Sequence, residues 1–228
     1  MDVKLLDEIA EVVHSNRLAM LSLQMGALQN PYRLIFSVGG YVAPLATWRT
    51  FTQAWHIMEL GSECQVIRKH RLMGVNRTLV VSDFRDNLDQ KTLLNARRDI
   101  SFVFCLRRCM EWIAHYWSLD RHAREQIAII FESGTPGLGT AMEYFGYLCE
   151  SQWGRQVFAS FTTMRKCIPP LVSADILAYA MYQEAEREEL GLPKEPRSML
   201  CLDGLINVQH VGPMTQEAII KVLCDNPT

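Results

Sequence analysis

The chain has no Cys-x-x-Cys pair, no His-x-x-x-His, no uninterrupted run of eighteen apolar residues and no excess of either charge. Each absence removes a class. Seven scattered cysteines, an odd number without paired spacing, exclude a disulfide framework and a structural zinc finger, and read as reduced small hydrophobes of a cytoplasmic protein. Cys105 and Cys109 share a helix face at i,i+4, but nothing completes a tetrahedral metal set around them. The lack of a long apolar run excludes a membrane-spanning helix. "MDVKLLDEIAEVV" carries acids where a signal peptide would have a basic start. A formal charge of −2 excludes the broad basic surface of non-specific nucleic-acid binders, so such a partner would need a local patch.

Present instead is enough apolar material for a large core. At 228 residues and 49% hydrophobic composition the chain fits one sizeable domain. "VKLLDEIAEVV" has the period of a short helix, and the runs "LAMLSLQMGA" and "RLIFSVGGYVA", joined by "LQNPY", predict a hairpin. Trp48, Phe51, Trp55 and Met58 follow at helical spacing and read as core. "RTLVVSDFRDN" predicts a third strand, and the segment from Gln90 to Trp117 is long enough for about seven helical turns. On that helix Arg97 and Arg108, eleven residues apart, return to nearly the same angle with Arg98 and Arg107 close by, as a phosphate-facing ridge or as a solvated face. "IAIIF" reads as a central strand, "TAMEYFGYLCESQW" as a helix, "QVFASFTTM" as a strand and "PPLVSADILAYAMYQEAEREEL" as a helix. The order predicts an α/β domain with a mixed sheet over residues 1–190. Residues 191–228 then form a short C-terminal extension, packed on the same domain and holding one weak helix.

Three acids stand out because each ends or interrupts an apolar element. Asp83 follows "LVVS", Glu132 follows "IAIIF" at a glycine-rich turn, and Asp175 is the sole charge in "PPLVSADILAYAMY". Carboxylates that meet repel one another unless a cation neutralises them, and an oxygen-only donor set suits Mg²⁺ or Mn²⁺. Such ions support phosphodiester cleavage. Each acid also has a plainer reading: Asp83 as a solvated loop acid, Glu132 as an acceptor for the amides of its turn, and Asp175 as a charge favoured near a helix start. "ESGTPGLG" has neither of the glycine spacings that cradle a nucleotide phosphate, and none of the six histidines lies in a recognisable catalytic motif.

The segments "FSVGGYVAPLATWRTFTQAW", "SDF", "FVFCLRRCM", "IAIIFESG" and "MRKCIPPLVSADILAYAMY" resemble, in that order and over roughly Leu21 to Glu186, a bacterial family known as domain of unknown function 3800. The resemblance implies a ribonuclease H-like mixed sheet flanked by helices. It also implies metal-ligating acids at Asp83, Glu132 and Asp175, with Lys166 placed near a phosphate. The family pattern opens with Asp-Glu-Ser-Gly, where this chain has Leu23-Gln24-Met25-Gly26, and Val80 stands where the family commonly has a histidine. Loss of the first acids weakens Mg²⁺ or Mn²⁺ binding. The expectation is therefore a catalytically impaired module that binds nucleic acid or a protein partner. The alternative is a divalent-metal nuclease or phosphodiesterase running on the acids that remain.

Overall fold

The computed structural model describes residues 3–13, 15, 17–27, 33–82, 90–119, 125–135, 137–165, 168–193, 206–214 and 218. In chain order the elements are α1 (Val3–Val13), β1 (Arg17–Ala27), β2 (Arg33–Pro44), α2 (Leu45–Ile57), α3 (Glu63–Lys69), β3 (Met73–Ser82) and α4 (Gln90–Leu119). They continue with β4 (Ile127–Glu132), α5 (Leu138–Glu150), α6 (Gln152–Val157), β5 (Phe158–Met164), α7 (Pro169–Glu189) and β6 (Ile206–Met214). The strands form one sheet in the order β5-β4-β1-β2-β3-β6. β2 runs against β1 and β3, while the β1–β4, β4–β5 and β3–β6 pairs are parallel. This is the α/β class with a mixed sheet that the order of elements led us to expect.

Alternation along the strands divides the core into two layers. Ala19 and Leu21 of β1, with Ile129 and Phe131 of β4, face α4 and α5. Leu18 and Met20, with Ala128 and Ile130, face α2 and α7. Trp48 of α2 is fully buried in this second layer and donates its indole N–H to the Leu18 carbonyl at 3.0 Å, so its one polar atom is satisfied.

Helix α7 begins at Pro169 and Pro170, whose missing N–H groups cost nothing in a first turn. It lies close against β2. A Cβ on Gly39 would fall 2.8 Å from Asn76 Nδ2 and 3.3 Å from the backbone of Ala178, and one on Gly40 would collide with the Met20 carbonyl. Beneath α7, Asn76 Nδ2 donates to Ser37 Oγ (2.9 Å) and to the Val38 carbonyl (3.0 Å), and Thr78 Oγ1 donates to Asn76 Oδ1 (2.9 Å). All three polar residues are buried. The α7 side of the sheet thus carries a hydrogen-bonded polar strip within an apolar layer.

Three features differ from the sequence expectations. β6 lies inside the C-terminal stretch and pairs with β3, so that stretch adds a strand to the sheet; the weak helix expected there falls largely outside the described residues. The seven-residue α3 was not anticipated. Cys64 is disulfide-bonded, whereas Cys105, Cys109 and Cys149 are free, which corrects the reading of all seven cysteines as reduced. A disulfide does not match the reducing compartment inferred from cysteine spacing.

The approach of α7 to Gly39 gives the first prediction. Gly39→Ala forces the Asn76 amide or the α7 backbone to move, and it should destabilise the fold by about 1–3 kcal/mol in urea denaturation. Gly191→Ala, with nothing near the added carbon but a positive φ of 66°, should act only through local backbone strain.

Candidate functional site

The parallel register of β1 and β4 places Leu21 beside Phe131, and one step further along both strands brings Ser22 alongside Glu132. By alternation both residues face the α7 layer. Asp175, a little under two turns into α7, comes down on the same point. Ser22 Oγ donates to Glu132 Oε2 at 2.8 Å and to Asp175 Oδ1 at 3.3 Å. The two carboxylate oxygens are therefore no more than about 6.1 Å apart, the sum of those two distances. Ser22 is fully buried, and both acids are partly exposed. A hydroxyl with a single proton is shared between two acceptors, the shorter bond going to Glu132.

Glu132 and Asp175 are thus brought together from distant parts of the chain. Asp83 and Lys166, the other two residues picked out from the sequence, lie outside the described residues. Among the described residues no group of three or more His, Cys, Asp or Glu could hold a metal ion. The donor set at hand is two carboxylates and one neutral hydroxyl. That set fits one weakly held hard cation and offers no cage for two.

The first turn of α7 contains no acid, and the dipole effect that would favour Asp175 fades within that turn. In the turn after β4 it is the Glu132 carbonyl that accepts from Thr135 Oγ1, at 2.9 Å, while its carboxylate takes the Ser22 hydroxyl. Gly134 and Gly137 there have φ of 85° and 80°, the left-handed region that glycine enters without strain.

Ser22 itself was missed in the sequence. The position of the absent family acids was assigned to Leu23-Gln24-Met25-Gly26, but Leu23 packs into the opposite layer, against α4 and α5. The signal that could have found Ser22 is the two-residue period: Leu18 and Met20 share a face, and the next residue on it is a serine.

The arginines of α4 form no open ridge at Arg107 and Arg108. Arg107 is buried and donates from Nε to Glu111 Oε1 at 2.8 Å, and Arg108 donates from Nη1 to Glu111 Oε2 at 2.9 Å. One carboxylate is clamped by both guanidinium groups. The side chains of Arg97 and Arg98 lie outside the described residues. Cys105 and Cys109 are fully buried against β2 and β3. Burial pushes the Cys109 thiol from 9.0 up to about 12, with nearby Arg77 acting in the opposite sense, and burial likewise raises Cys105. Protonated and enclosed, they serve as core hydrophobes.

No protein-family model matches the chain, and no curated protein matches it. The family resemblance therefore rests on the segments quoted above. Among solved structures, the PCNA:RNase HII complex from Archaeoglobus fulgidus contains a similar chain, 15% identical, with 81% of this chain and 86% of that chain covered at a TM-score of 0.35.

Two predictions follow from this geometry. Ser22→Ala removes the donor shared by two acids and should lower stability by about 1.5–3 kcal/mol. Much of that loss should disappear in an Glu132→Gln background, where one of the facing charges is gone; a coupling below about 0.5 kcal/mol in the double-mutant cycle would mean that the hydroxyl and the acid act independently. The buried thiols set an alkaline limit. The unfolded chain releases the Cys109 proton near 9.0 and the folded one near about 12, so stability is retained below the first value and falls as pH rises towards the second. Urea midpoints measured across that window should fall less steeply for Cys109→Ala than for the wild type.

Proposed function

We propose that this chain is a ribonuclease H-like protein whose acidic centre has been reduced to a carboxylate pair bridged by a neutral hydroxyl, and that it works as a binding module for a nucleic-acid or protein partner with its catalysis impaired. The observation that carries the reading is the Ser22 hydroxyl between Glu132 and Asp175. Two carboxylates balance the charge of one divalent ion. A pair of such ions, which would clamp both the attacking and the leaving oxygen of a phosphodiester, would leave two positive charges uncompensated by these residues. Serine adds an oxygen but no charge, and its one proton is shared between the two acids.

The second reading is a Mg²⁺- or Mn²⁺-dependent nuclease or phosphodiesterase. It is favoured by the convergence of Glu132 and Asp175 on one hydroxyl, a pair of hard oxygen donors of the kind that such an ion takes. Asp83 would supply a third ligand in that case, and Lys166 would meet a substrate phosphate. A membrane role has no support, since no helix among the described residues is long and apolar enough to cross a bilayer. A cytoplasmic location is part of the proposal and has to accommodate the disulfide at Cys64.

Titration calorimetry with Mn²⁺ separates the two readings. The wild type should take up Mn²⁺ only in the millimolar range. Ser22→Asp restores a third charged oxygen and should tighten binding by about tenfold or more, about 1.4 kcal/mol per tenfold. Glu132→Gln combined with Asp175→Asn should abolish it. Micromolar binding by the wild type, with cleavage of nucleic acid that vanishes in the double variant, would replace the binding module with the nuclease.

A further inference from the structure

Ser173 and Thr50 each return their hydroxyl to a carbonyl three residues back in the same helix, at 2.8 Å and 3.0 Å. Thr52 does not. It is 2% exposed on the buried face of α2, and its hydroxyl meets no hydrogen-bond partner among the described residues. Tyr41 of β2 is in the same condition: its side chain is fully buried and its hydroxyl also meets no partner. Burial alone pushes that hydroxyl above its ordinary range, with no neighbouring charge or hydrogen bond acting on it.

The two hydroxyls belong to one layer. Tyr41 packs in a single cluster with Trp48 and Phe51 of α2, Ile67 of α3 and Leu72. Thr52 follows Phe51 directly and stands one turn beyond Trp48 on the same buried face. The other polar side chains of this layer are engaged: the Trp48 indole donates to the Leu18 carbonyl, and His70 Nδ1 lies 2.8 Å from the Val66 carbonyl. Across the sheet Tyr41 is opposed by Met20 and Gly74, neither of which carries an oxygen or nitrogen beyond its backbone. Leaving a buried hydroxyl unpaired is costly, and native interiors use ordered water where no protein group can reach.

We propose that the layer between β2 and α2 holds one internal water, bound jointly by the Tyr41 and Thr52 hydroxyls. A water offers two protons and two lone pairs, so it accepts from one hydroxyl, donates to the other and keeps capacity for a backbone carbonyl. Water fits this donor set better than an ion does, because both side chains are neutral and the cluster around them is aromatic and aliphatic. The bound molecule ties α2 to the sheet by hydrogen bonds where the rest of the contact is apolar.

Urea denaturation of the full chain tests this. Tyr41→Phe and Thr52→Val should each lower the midpoint, and the double variant should lower it by less than the two shifts together, because the water leaves with both hydroxyls. Oxygen-17 relaxation dispersion should count one long-lived water fewer in the double variant than in the wild type. A hydroxyl without a partner would act in the opposite sense, since its removal relieves an unpaired buried group. A Tyr41→Phe midpoint at or above that of the wild type therefore overturns the proposal. Additive shifts, or an unchanged count of long-lived waters, overturn it as well. Should Thr52→Val fail to fold, the midpoint and the water count of Tyr41→Phe decide alone.

Discussion

The closeness of α7 to the sheet governs where every polar group beneath it can sit. That closeness is set at Gly39, where a single added carbon would meet the backbone of Ala178 at 3.3 Å. Ala178 is one helical turn beyond Asp175, so the contact that seats the helix also fixes the depth of the carboxylate. The strands supply the other half of the geometry. Parallel pairing of β1 with β4 aligns Ser22 with Glu132, and antiparallel pairing of β1 with β2 puts Gly39 directly across from Ser22. A glycine, a serine and two acids thereby become neighbours through backbone register and helix seating, although they are dispersed along the chain.

Partial burial then decides what those neighbours cost. Two facing carboxylates would raise each other's energy if left without a donor, and the cost grows as water is excluded. A metal ion is one remedy; a shared hydroxyl is another, weaker and permanent. Ser22 supplies the second remedy from a fully buried position. The same economy operates further along this side of the sheet, where Ser37, Asn76 and Thr78 satisfy one another under α7. The opposite side handles charge differently: Arg107 and Arg108 of α4 both converge on Glu111 of the same helix.

Much of this was legible in the residues, and the missing parts have physical reasons. The hairpin, the long helix and the central strand follow from period and turn chemistry, which are local properties. Glu132 and Asp175 drew notice because a charge at the end or in the middle of an apolar element needs a partner. Ser22 did not, since a small polar residue between Leu21 and Leu23 is unremarkable until the register of a strand more than a hundred residues away is known. β6 escaped for a related reason: "INVQHVGPM" ends in a Gly-Pro pair that argues against a strand, and only pairing with β3 makes it one. The seven residues of α3 are too few to display a period. The disulfide at Cys64 joins residues that spacing alone could not match.

The hydroxyl bridge bears on how such a centre can persist. An acid pair that depends on a cation ties the stability of its surroundings to metal supply, because an ion that binds only the folded state stabilises it by mass action. Loss of a ligand from such a site would ordinarily leave repelling charges behind and put pressure on the remaining acids to disappear. Ser22 donates to both Glu132 and Asp175, so the pair shares a neutral donor carried by the chain itself. Retention of the two acids is therefore compatible with an impaired catalyst. It also means that their presence in the sequence cannot serve by itself as evidence of activity.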